Sequence, residues 1–72
     1  MTNDPPKPLP IWTAWPATTG DGVTMARVRL NLGQHSFMAG GEIKPDHSDF
    51  AETVSRLIAA VTQHFKERGL LP

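Results

Sequence analysis

Residues 48–72 read SDFAETVSRLIAAVTQHFKERGLLP, and this stretch decides the fold class. Phe50, Val54, Leu57, Ile58, Val61 and Phe65 recur at steps of four, three, one, three and four. At a helical repeat they form one stripe. Glu52, Ser55, Arg56, Thr62, Gln63, Lys66 and Glu67 fall on the other side, with Ala59 as an apolar exception. The spacing predicts an amphipathic surface helix that buries one face. Its start is marked by Pro45-Asp46-His47-Ser48-Asp49. Ser48 or Asp49 is expected to accept a bond from a first-turn amide, and Glu52 stands where the partner of Asp49 in a capping box belongs. Glu52 and Arg56 stand in the favourable order for an ion pair one turn apart. Lys66 and Arg68 suit the negative end of the helix dipole. Gly69 is expected to adopt the left-handed conformation that ends a helix, with Leu70 folding back onto Phe65.

Working back from the helix, Ala26, Val28, Leu30 and Leu32 alternate with Met25, Arg27, Arg29 and Asn31, the period of a half-buried strand. Gly33-Gln34 fits a type II′ hairpin loop with glycine first. That loop sets Leu32 opposite His35, Asn31 opposite Ser36, Leu30 opposite Phe37, Arg29 opposite Met38 and Val28 opposite Ala39. Apolar then meets apolar on one face, and a one-residue slip would destroy the match. Gly40-Gly41 suggests a bulge or bend before Glu42-Ile43-Lys44. Ile11 to Ala17 carries both tryptophans. Pro10 and Pro16 bracket it and restrict it to an edge strand, while Thr18-Thr19-Gly20-Asp21-Gly22 reads as a turn.

The expected architecture is a small α+β two-layer sandwich: an antiparallel hairpin, extended to three strands by the N-terminal edge strand, packed on one C-terminal helix. Residues 11–72 are expected to form a single domain, and residues 1–10, with Pro5-Pro6-Lys7-Pro8 at their centre, are expected to form a flexible proline-rich arm. A chain of 72 residues lies near the lower limit for a self-sufficient core. It has no cysteine, so disulfides and thiolate metal sites are excluded, and association is the remaining common stabiliser. A homodimer or a partner-bound state is therefore expected. Absence of cysteine, of a signal-peptide pattern and of a long apolar run gives a cytoplasmic, non-membrane expectation.

The formal net charge is zero with both signs mixed, unlike a nonspecific nucleic-acid binder. Asp46, His47 and Asp49 precede the helix and His35 lies on the hairpin, yet their spacing matches no strong metal motif, and capping accounts for the acids. Ser36, Ser48 and Ser55 are candidate nucleophiles by residue type alone, since nothing in the sequence locates an activating histidine and an orienting acid near any one of them. His64, at the border of the apolar stripe, is expected to be partly packed. No catalytic residue, metal or cofactor is assigned. The expectation is a non-enzymatic protein-binding or self-associating accessory module. It would use the sheet face the helix leaves open, with Trp12, Met25, Arg27, Arg29 and Met38 as contacts. A nucleic-acid-binding module using Arg27, Arg29 and the aromatics is the alternative.

Overall fold

A computed structural model describes residues 9–71. Three strands, β1 (Ile11–Thr18), β2 (Thr24–Leu32) and β3 (His35–Glu42), precede one helix, α1 (Phe50–Glu67). The strands form an antiparallel meander in the order β1-β2-β3, and α1 packs against it. The fold is thus the α+β sandwich expected, with β1 present as a true edge strand. The proline-rich arm lies outside the described residues up to residue 8; Leu9 and Pro10, which follow, are exposed.

The β2–β3 register has Leu32 opposite His35, Leu30 opposite Phe37 and Val28 opposite Ala39. Gly33 has φ 62°, and among the described residues only His47 combines a side chain with a positive φ. Positive φ at the first loop position and not the second is the type II′ pattern. Turn chemistry and side-chain matching therefore select the same pairing.

Gly40 and Gly41 do not form a bulge. The ladder continues through Gly40 opposite Arg27, Gly41 opposite Ala26 and Glu42 opposite Met25. The Ile43 amide then donates to the Thr24 carbonyl at 2.9 Å. The two glycines serve close approach instead. A Cβ on Gly41 would sit 3.2 Å from Thr53 Cγ2 and 3.7 Å from Leu57 Cδ2, so α1 crosses the sheet directly over this position.

Ala26, Val28, Leu30 and Leu32 of β2 are buried, together with Ile43 and, from α1, Val61 and Phe65. Fully burying a side chain such as Leu30 or Val28 contributes about 1.5–3 kcal/mol relative to exposure. The stripe on α1 is graded. Val61 and Phe65 are buried, while Phe50, Val54, Leu57 and Ile58 are half-buried. The helix rests chiefly on β2 and β3, and β1 reaches the core through Trp12, which packs against the cluster of Leu30, Leu32, Val61 and Phe65.

The ends of α1 differ in how they are held. Asp49 is the N-cap residue, yet its carboxylate makes no cap bond. It reaches back to accept the Lys44 amide at 2.9 Å, so the expected Asp49–Glu52 capping box does not form. The segment before it is tied by the His47 amide donating to the Lys44 carbonyl at 2.9 Å and the Ser48 amide donating to Asp46 Oδ1 at 3.0 Å. At the other end Gly69 has φ 73°. Its amide donates to the Lys66 carbonyl at 3.0 Å and the Leu70 amide to the Phe65 carbonyl at 2.9 Å. This pair of bonds is a Schellman stop, and Leu70 packs onto the cluster containing Phe65, as the spacing predicts.

Candidate functional site

Residues paired directly across an antiparallel ladder share a face. β2 therefore sorts the sheet into two surfaces. Toward α1 stand Trp12, Ala14 and Pro16 of β1, the buried residues of β2, and His35, Phe37, Ala39 and Gly41 of β3. The open face carries Ile11, Thr13, Trp15 and Ala17, then Met25, Arg27, Arg29 and Asn31, then Ser36, Met38, Gly40 and Glu42.

Four of the five expected contacts, Met25, Arg27, Arg29 and Met38, stand together on this open face. Trp12 does not. It pairs with Leu30 and faces the helix, and Trp15 takes the outer position instead. The reason lies in the turn. The Thr19 amide donates to the Val23 carbonyl and the Gly22 amide to the Thr19 carbonyl, both at 2.9 Å. Thr19 Oγ1 also accepts the Val23 amide at 3.2 Å. This closure sets Thr18 opposite Thr24 and so fixes which tryptophan faces out. Each face of β1 carries one tryptophan, so hydrophobicity alone could not choose between the two parities.

The centre of the open face is cationic and soft. The Arg29 guanidinium lies over the Trp15 ring, 5.6 Å from its centroid. Such an Arg–aromatic stack holds the guanidinium in place while leaving its donors available. Arg27, half-buried, pairs directly with Trp15 across the ladder. Neither arginine forms a salt bridge among the described residues, where the one ion pair is Arg56 with Glu52 on the exposed side of α1, at 2.6 Å. Beside the arginines is a shallow depression of about 270 Å³ bordered by Met25, Arg27, Met38 and Gly40. Gly40 creates it by having no side chain, and Met25 Cε lies 3.2 Å from where its Cβ would be. Met38 is 45% exposed and Ile11 62% exposed.

The acids before α1 have structural partners. Asp46 accepts from the Ser48 amide and Asp49 from the Lys44 amide. The Ser48 amide bond, with a further contribution from the Ser48 side chain, holds the Asp46 carboxyl below its ordinary value. Among the described residues there is no group of three or more His, Cys, Asp or Glu placed to hold a metal ion. No helix among them is long and apolar enough to cross a membrane.

Sequence reading left one cluster unnoticed. The Phe37 ring and the His64 imidazole stack at 4.4 Å between centroids, 28° from parallel, and both meet the edge of Phe65. His64 is half-buried at the border of the stripe, in line with its position in the helix repeat. The register of β3 and the period of α1 are each readable, but the contact between them depends on how the two layers are set together.

Comparison with known proteins returns no matching family model, no matching curated protein and no matching solved structure.

Proposed function

We propose that this chain is a non-enzymatic protein-interaction module, docking a protein partner or a second copy of itself on the open sheet face. One observation carries the reading. The depression at Gly40 is ringed by Met25, Met38 and Arg27, and it adjoins the stacked Trp15–Arg29 pair, with no acidic partner for either guanidinium among the described residues. An adaptable apolar seat flanked by Arg27, a preorganised Arg29 and an aromatic ring suits an apolar side chain accompanied by a carboxylate or main-chain acceptor. The reading places the module in the cytoplasm, where a chain without cysteine is at no disadvantage.

The test is sedimentation of the wild-type chain alongside Trp15→Ala and Arg29→Glu, paired with capture of partners from the native host by the same three proteins. Each substitution is expected to weaken self-association or partner capture about 10-fold or more, the effect of losing a central aromatic or arginine anchor. Both side chains lie on the open face, so the far-ultraviolet circular dichroism should not change. If both variants associate and capture as the wild type does, this face is not the contact surface. Tight binding to a single-stranded oligonucleotide that weakens steeply with salt would instead favour the nucleic-acid reading of Arg27 and Arg29.

A further inference from the structure

A second recess lies at the far end of the sandwich, between the start of β3 and the last turn of α1. It encloses about 360 Å³ and is open to solvent. We propose that this recess binds a small planar anion, an aromatic carboxylate in chemical class, independently of whatever docks on the open sheet face.

The argument begins with its walls. Phe37 and His64 stack at 4.4 Å, so each covers one face of the other and a further ring can stack on an outer face, while Phe65 stands 79° from the Phe37 ring. Phe37 is 37% exposed although it stands on the helix-facing side of the sheet, so part of its ring is open. Leu70, turned back by the Schellman stop, adds apolar surface. A flat ring entering here would exchange water for stacking and apolar contact.

The ionisable side chains among the described lining residues are all bases, and Ser36 is the one other polar residue beside them. His35 from β3, His64 from α1 and Arg68 at its C-cap line the recess, and no Asp or Glu among the described residues does. None of these three side chains makes a hydrogen bond to another described residue, so their donors are available to a ligand. A guanidinium offers a carboxylate two parallel bonds, and an imidazole beside it can add a third. The negative end of a helix dipole ordinarily repels an anion. Here the carbonyls of His64, Phe65 and Lys66 are already occupied by the amides of Arg68, Leu70 and Gly69, which reduces that repulsion. A volume of this size suits a ligand of one or two rings.

The test is a titration of the full chain with 2-naphthoate and with its neutral analogue 2-naphthamide, followed by amide and side-chain chemical shifts. Saturable shifts at Phe37, His64 and Leu70 are expected with naphthoate, with naphthamide at least about 10-fold weaker. Arg68→Gln, at an exposed position beyond the last helical residue, should lose a comparable factor for naphthoate and leave naphthamide unchanged. His64→Gln serves as a second variant, removing the stacked ring as well as its donor, and should weaken both ligands. The proposal is overturned if naphthoate produces no saturable shifts or its shifts map elsewhere. It is equally overturned if naphthamide binds as well, or if Arg68→Gln binds naphthoate as the wild type does.

Discussion

At Gly41 a side chain would be crowded by the helix. A Cβ there would lie 3.2 Å from Thr53 Cγ2, tighter than ordinary contact, and 3.7 Å from Leu57 Cδ2, so the branches of a larger residue would meet α1. Gly41→Val must therefore push the helix off the sheet or force its neighbours out of their rotamers, a cost of about 1–3 kcal/mol. Gly20, which has open space around its Cα, is the control. Gly20→Ala should leave the urea midpoint nearly unchanged, and Gly41→Val should lower it at constant slope. An unchanged midpoint in Gly41→Val would mean that the helix does not seat on β3 as described. Met25 against Gly40 is a softer case on the other side of the sheet, because its contact is the mobile end of a side chain. There a small added group would fill the depression rather than lift an element, so Gly40→Ala should affect partner contact more than folding.

The elements differ in how far they could be read from the chain. The hairpin was legible because two independent constraints agree: a glycine suited to the first position of a type II′ loop, and an apolar face that survives only in one register. The C-terminal stop of α1 was legible because Gly69, Leu70 and Phe65 stand at the required spacing. Gly69→Val tests it. A β-branched residue at φ 73° costs about 1–2 kcal/mol, so the variant should melt lower and lose amide protection at Leu70 first. The N-terminal end was less legible. Asp49 was a sound N-cap by type and position, but its carboxylate accepts the Lys44 amide instead of a first-turn amide. The face of β1 was not legible at all, since Trp12 and Trp15 make the two parities equally plausible and only the closure between Thr19 and Val23 separates them. That difference moved one member of the candidate site. The four residues from the well-specified hairpin stayed on the open face, and the one from the edge strand did not.

For the whole molecule, the small core sets what the two layers can do. All four buried side chains of the main cluster come from β2 and α1, and β3 is held by its ladder to β2 and by the helix crossing above it. Among the described residues, β1 has the ladder to β2 and the packing of Trp12 on the main cluster, while Pro16 has no amide to contribute. The attachment of the strands is therefore unequal. Opening of β1 alone leaves β2, β3 and α1 packed, so it is expected to cost less than global unfolding. Native-state hydrogen exchange should find two classes of amide. Those of β1 bonded to β2 should exchange through a local opening well below the global unfolding free energy, and those joining β2 to β3 only near it. Equal protection in both ladders would refute this order. Because Trp15 and Arg29 meet across the first of these ladders, the opening that releases β1 also takes the open face apart. A partner that grips both side chains would close that opening, and its binding would be read most directly as slowed exchange in β1.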